Sequence, residues 1–160
     1  MIDIQQAIID GDLEYIKTKV SANNVNTLFY PNQKSFLTMA CIKGQLEIAK
    51  YLVEVGADIN ASSGSKKVTP LIASVICDQK SVVEWLMGHD ELNYNLQDKS
   101  RMTALMHSVK QNKLLLTDLL IDKTDLSLTN TFGDSVHYYI DSEEMSELFS
   151  EHITTNSPQR

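Results

Sequence analysis

A chain of 160 residues, 42% apolar and 22% charged, has ordinary globular composition, which excludes disorder along its whole length. Its formal net charge of −7 argues against indiscriminate binding to nucleic acid or to an anionic membrane surface. Two cysteines, Cys41 and Cys77, cannot build the disulfide framework of a small secreted domain, so the expected setting is the cytoplasm, or a host cytosol for a secreted effector.

In chain order, the first element pair is polar and short. The first unit runs from Asp3 to Val20, with Gly11 at the turn and an apolar run at helical spacing after it, Leu13, Tyr15, Ile16 and Val20. Gln5, Gln6, Asp10 and Asp12 give it a wet outer face. Next comes Ser35-Phe36-Leu37, then the turn residue Gly44, then Leu46, Ile48, Ala49, Leu52 and Val53, ending in Gly56-Ala57-Asp58-Ile59-Asn60. Gly56 suits a helix C-terminus, where a left-handed residue is needed. The unit recurs as Thr69-Pro70-Leu71, with Asp78 at the turn and Val82, Val83, Trp85, Leu86 and Met87 behind it. A third copy follows at an identical interval, at Thr103-Ala104-Leu105, with Asn112 at the turn and Leu114, Leu115, Leu116, Leu119 and Leu120 behind. A looser copy at Ser135-Val136-His137 comes after a slightly shorter interval and would put Glu144 at the turn. Gly, Asp and Asn tolerate the left-handed backbone that a tight turn between helices requires; Glu does not.

One such helix pair cannot bury its own apolar face, so the units must stack. Ala7, Ala40, Ser74 and Ser108 fall at one equivalent position, four before the turn residue, where helices must approach closely. A serine buried there needs a backbone carbonyl one turn back. Asp141, Ser142, Glu143, Glu144, Ser146 and Glu147 make the last unit polar, as a terminal cap should be.

Thr-Pro-Leu, a turn residue nine positions later, a leucine-rich second helix and a Gly-Ala-Asp-Ile-Asn ending together resemble the ankyrin repeat. The resemblance covers residues 2–149 and is closest over 27–60 and 61–95. It implies an all-α fold: an ankyrin-repeat solenoid of stacked antiparallel helix pairs joined by hairpin-like loops, about five repeats including two caps. The implied organisation is a single domain over 1–149, with a cap at 1–26, repeats at 27–60, 61–95 and 96–128, a C-terminal capping repeat at 129–149, and a flexible tail at 150–160. The histidine that follows Thr-Pro-Leu in the family is replaced by Thr38, Ile72, Met106 and Tyr138, which implies weaker bonding between adjacent loops. Gly88-His89-Asp90-Glu91 holds one extra residue. Asn60 and Asn95 sit where some ankyrin proteins are hydroxylated.

No phosphate-binding glycine loop, Cys-x-x-Cys or His-Glu-x-x-His is present. His89, His107, His137 and His152 are scattered, so no metal or cofactor is expected. No apolar run approaches the ~18 residues of a membrane span. No enzyme activity is expected.

The family resemblance implies that a partner protein contacts the hairpin tips and the exposed ends of the first helices. The residues so placed are Tyr30, Asn32, Lys34, Ile42, Lys43, Lys66, Val68, Ile76, Lys99, Arg101, Met102, Lys110 and Phe132. Across these segments, Lys34, Lys43, Lys66, Lys67, Lys99, Arg101 and Lys110 face only Asp10, Asp98, Asp134 and Glu143, a net +3 against −10 for the remainder. The expectation is a monomeric binding module that inhibits or scaffolds a partner protein with an acidic contact surface, with no nucleic-acid or membrane partner. Specific versions are a bacterial immunity-type inhibitor of a cognate toxin and a host-directed effector.

Overall fold

The computed structural model describes residues 3–29 and 31–155. The chain divides after Asn93 into two compact units, Met1–Asn93 and Tyr94–Arg160.

In the first unit, helices α1 (Ile4–Asp10), α3 (Phe36–Lys43) and α5 (Pro70–Ile76) are the first helices of three successive pairs. Each is only seven or eight residues long, too short to be stable alone in water. What starts each is a side-chain cap. Asp3 accepts from the Gln6 amide, Ser35 from Thr38 and Thr69 from Ile72, so an orphan N–H finds a partner. Pro70 at the first helical position of α5 fits the fixed φ of that site. What ends them is the turn residue read from the sequence: Gly11 at φ 77°, Gly44 at 68° and Asp78 at 58°. The second helices are α2 (Leu13–Lys19), α4 (Leu46–Glu54) and α6 (Lys80–Leu86). Gly56, at φ 101°, closes the turn after α4.

Stacking follows from which faces are apolar. α3 lies between α1 and α5, and α4 between α2 and α6. Six consecutive residues of α3, Phe36 to Cys41, are buried, as are Pro70 to Val75 of α5, so first helices are covered nearly all round. α4 buries only Ile48, Ala49 and Leu52 and leaves Glu47 and Lys50 in solvent. Ala7, Ala40 and Ser74 are fully buried at the tightest approach. The Ser74 hydroxyl donates to the Pro70 carbonyl at 2.7 Å, the partner one turn back that the sequence demanded.

The loss of the family's histidine does not leave the loops untied. Thr38 Oγ1 accepts from Ser35 Oγ at 2.9 Å and from Ser63 Oγ of the next hairpin at 2.8 Å. Further side chains bridge successive pairs through backbone. Gln45 Nε2 donates to the Ile9 carbonyl at 3.1 Å and Gln79 Nε2 to the Ile42 carbonyl at 3.3 Å. A Cβ at Gly11 or Gly44 would press on the carboxamide of Gln45 or Gln79, so the bridging glutamine would have to shift. Asn26 donates to the Gly56 carbonyl and accepts from Asp58; Asn60 donates to the Glu91 carbonyl at 2.7 Å and accepts from Asn93 at 2.8 Å.

The second unit begins in the same manner. Thr103 caps α7 (Ala104–Lys110), Asn112 turns at φ 52°, and α8 (Leu114–Ile121) follows. Buried Ser108 donates to the Leu105 carbonyl at 2.8 Å and accepts from Thr117 at 2.9 Å. Asn95 Oδ1 accepts from Asp125, continuing the asparagine role within this unit. The last pair departs. The helix expected after Ser135 is a single 3₁₀ turn, Val136–Tyr139, with no side-chain cap bond. The turn expected at Glu144 does not exist. Ser142 Oγ accepts from the Met145 amide at 3.2 Å, and α9 runs from Glu143 to Thr155 with Glu144 in its first turn. From Ser135 to the start of α9 at Glu143 the chain is shorter than from Thr69 to Lys80 or from Thr103 to Leu114, which leaves no room for a full first helix. The tail expected from Ser150 is corrected as far as Thr155. Met145 and Phe149 are buried, and α9 packs on α8. His152 bonds Asp118 and Asp122 of the α8 segment at 3.1 and 2.9 Å.

Candidate functional site

Six of the residues assigned to partner contact converge on one groove in the first unit. Asn32, Lys34, Ile42, Lys66, Val68 and Ile76 line a cavity of about 430 Å³, joined by Ser63, Gly64, Ser65, Ala73 and Cys77. Two hairpins and two helix ends build it. Strands β1 (Leu28–Phe29) and β2 (Lys34–Ser35) pair antiparallel and carry Asn32 and Lys34 at their tip. Ser63 and Val68 exchange backbone bonds at 2.9 and 3.1 Å and carry Lys66 at the next tip. The tips are tied by the Gly64 amide donating to the Gln33 carbonyl at 2.8 Å. Ile42 and Ile76, in the last turns of α3 and α5, form the floor with Ala73 and Val68. Gly64 lies under Lys34: a Cβ there would stand 3.4 Å from Lys34 Cγ and 3.6 Å from the Asn32 carbonyl oxygen.

The lysines of this unit fall into two classes. On second helices, Lys17, Lys50 and Lys80 pair with Glu14, Glu47 and Glu84 of their own helix, while Lys19 lies over the Tyr15 ring at 5.8 Å. Lys34, Lys43, Lys66 and Lys67 have no carboxylate partner among the described residues. Asp10, the acid assigned to the same face, is engaged by the Gln6 amide at 2.8 Å. The apolar floor with its unpaired cations therefore lacks internal counter-charge.

The two thiols differ sharply. Cys41 is fully buried, and desolvation pushes its pKa up to about 12 against a smaller opposing hydrogen bond with Ser74, so it is inert at neutral pH. Cys77 is half-exposed and lines the groove. No group of three or more His, Cys, Asp or Glu suited to a metal occurs among the described residues.

In the second unit the assigned residues are placed differently. Lys99 and Arg101 are exposed at a hairpin tip. Lys110 lies over the Tyr139 ring at 5.6 Å. Phe132 is 88% exposed. Asn130 holds that tip, accepting from the Phe132 and Asp134 amides at 2.7 and 3.0 Å. Met102 is corrected: it is 6% exposed and its sulfur lies 4.0 Å from the Tyr139 hydroxyl, so it packs rather than presenting a contact. The acids counted here are partly structural. Asp98 accepts from the Ser100 and Met102 amides and pairs with His107 at 2.9 Å, and Asp134 accepts from Asn130 Nδ2. Glu143 opens α9 instead of closing a first helix. Tyr30 lies outside the described residues.

The model of ankyrin repeats in three copies matches residues 4–98. The chain belongs to the ankyrin-repeat family. Ankyrin repeats indicate a protein-interaction module and are typically non-catalytic. Among curated proteins, this ankyrin chain is similar to the palmitoyltransferase AKR1 of Debaryomyces hansenii, 25% identical over 154 residues. That alignment takes in 94% of the chain but 18% of the relative, so the chain spans less than a fifth of that protein's length. No helix among the described residues is long and apolar enough to cross a membrane.

Two features of this ankyrin face escape the Thr-Pro-Leu reading. Ser63, Gly64 and Cys77 lie in the tip and helix-end segments that the family resemblance marks, were not singled out there as contact residues, and complete the groove. A second left-handed series runs through the tips: Gln33 at φ 54°, Lys67 at 51°, Arg101 at 57° and Gly133 at 87°. Its spacing repeats that of the anchors, two equal intervals and a shorter third, but Gln, Lys and Arg carry no compositional sign of positive φ.

Proposed function

We propose that this ankyrin module binds a partner protein by its acidic surface, docking on the hairpin tips and helix ends of the first unit, and thereby inhibits or scaffolds that partner. The observation that carries the reading is the groove of Asn32, Lys34, Ile42, Lys66, Val68 and Ile76, apolar at its floor and rimmed by lysines without carboxylate partners. Apolar residues ringed by polar ones are the usual anatomy of an interface. Unpaired charge at the rim favours encounter with an oppositely charged surface and disfavours like-charged competitors. The backbone ties across the tips fix the face before binding, which lowers the ordering cost. The chain acts as a monomer in the cytoplasm under this reading, with no cofactor, nucleic acid or membrane required. No reaction is assigned to it: the groove's lining contains Cys77 but no histidine or carboxylate to activate it.

The experiment is selection of a random peptide library on the intact protein. Enriched sequences should be acidic, and their affinity should fall about tenfold between low and physiological salt, because exposed charges are screened beyond ~8 Å there. Enrichment of basic or uncharged sequences would overturn the acidic-partner reading.

A further inference from the structure

The groove has more shape than a flat basic face requires, and its floor is specific. Ile42, Val68 and Ile76 are each half-buried, leaving apolar surface turned to solvent on one side of a stacked core. Covering such surface is favourable in proportion to its area. About 430 Å³ lies within the range of cavities that enclose small ligands, and it is bounded by fixed walls. The Ser63–Val68 backbone pair forms one wall, and the Gly64-to-Gln33 bond closes the joint between tips. Gln79 holds the Ile42 carbonyl, and Ser63 holds Thr38. Gly64 lies against the Lys34 side chain at this joint, and Lys34 and Lys66 line the groove from different hairpins.

We infer that this groove is an anchor pocket for one large apolar side chain of the partner, carried on a short segment with carboxylates on both sides of it. This rests on the protein-binding reading above and narrows it to one pocket and one segment chemistry. The apolar side chain covers Ile42, Val68 and Ile76; the flanking carboxylates lie against Lys34 and Lys66; Asn32 and Ser65, both exposed at the rim, offer hydrogen bonds to the segment's backbone. A buried anchor surrounded by polar contacts that exclude water is how a few residues come to dominate an interface. The floor supplies the area term and the lysines set the sign of the charge, so loss of either should weaken the segment independently.

Cys77 reports on the pocket directly, because it lines the groove while Cys41 is fully buried. The test is the rate at which iodoacetamide alkylates Cys77 in the full chain, with and without the capped peptide Glu-Glu-Glu-Leu-Glu-Glu-Glu, whose binding is followed separately by fluorescence anisotropy. At saturation the rate should fall about tenfold. Replacing the central leucine by serine should abolish both binding and protection. The double change Lys34→Glu with Lys66→Glu should do the same, with helical circular dichroism unchanged. Binding of the leucine peptide without protection of Cys77 overturns the anchor pocket while leaving the protein-binding reading intact. Failure of this peptide to bind at millimolar concentration, or equal protection by the serine peptide, also overturns it. Protection by decanoate but not by peptide would overturn it in favour of a small amphiphilic anion. Failure of the library selection to yield any acidic binder would remove the parent reading instead.

Discussion

The two units have nearly the same net charge but arrange it differently. Met1–Asn93 carries eight basic and eleven acidic residues, and Tyr94–Arg160 six and ten, so they stand at −3 and −4. On the face assigned to partner contact the balance separates. Lys34, Lys43, Lys66 and Lys67 against Asp10 leave the first unit at +3, while Lys99, Arg101 and Lys110 against Asp98, Asp134 and Glu143 leave the second neutral. The first unit sets Lys34 and Lys66 beside an apolar floor and pairs Lys17, Lys50 and Lys80 along its second helices. The second unit draws its acids and one cation into its own architecture, through Asp98 on His107, Asp134 on Asn130 and Lys110 on Tyr139. Net charge per unit is thus a poor guide to an interface; what matters is whether a charge has an internal partner.

The means of holding the repeats differ as well, and the largest expected effects ask whether packing density does not. Leu52 in α4 and Leu120 in α8 are both fully buried. Leu52→Ala and Leu120→Ala should each cost about 2–5 kcal/mol by chemical denaturation. A clear excess in one would break the comparison at the level of the core. Next is the glycine beneath the Gln79 bridge. Gly44→Ala must adopt φ 68° and displace Gln79 from the Ile42 carbonyl, at a cost of about 2 kcal/mol from left-handed strain and a lost hydrogen bond. Asn112, the turn residue of the second unit, already accepts a left-handed φ of 52°, so Asn112→Ala should cost less. The midpoint shift of the two variants measures that difference.

A smaller, pH-dependent effect belongs to the second unit. The hydrogen bond that His152 donates to Asp118 raises its pKa, burial opposes, and Asp122 adds to the rise. A neutral imidazole has a single N–H and cannot donate to both carboxylates. A raised folded pKa contributes stability that is complete below the ordinary value near 6.5 and is lost as pH rises through the folded value. The carboxylates are 56% and 48% exposed, which limits the effect to about 1 kcal/mol. Wild-type stability should therefore decline as pH rises past neutrality, and His152→Gln should flatten that slope. The smallest change concerns the tips: Arg101→Gly relieves a left-handed arginine and should raise stability by about a few tenths of a kcal/mol, seen as a slight rise in thermal midpoint. A fall instead would mean that the arginine side chain, not its backbone, holds the tip.

The repeat frame was legible because its signals are backbone constraints. Ser35, Thr69 and Thr103 do cap helices, and Gly11, Gly44, Asp78 and Asn112 do turn left-handed. The last pair was misread because the landmark was counted forward from Ser135 at the spacing of the others. With a single 3₁₀ turn in place of a helix, Glu144 falls inside α9 instead of before it. At one of the four positions that lack the family's histidine, Thr38, a hydroxyl ties adjacent loops through Ser63, while Ile72 and Met106 have no polar side-chain atom to do so. At the candidate site, Lys34, Lys66, Ile42 and Ile76 were found by repeat position alone. The burial of Met102 was not, since a residue just before a helix cap can turn either outward, as half-exposed Val68 does, or inward. Gly64 and Cys77 fall within the tip and helix-end segments of the partner face, but their part in the groove needed coordinates, because it lies in space left open and in proximity across two repeats.

The central claim is that binding resides in the unpaired lysines of the first unit. The most direct measurement is the affinity of library-selected acidic peptides for two variants of equal charge change, Lys34→Glu with Lys66→Glu and Lys99→Glu with Arg101→Glu, at physiological salt. The account predicts a loss of about tenfold or more, some 1.4 kcal/mol, for the first pair and little change for the second. Equal losses from both, or a loss confined to the second, would contradict it.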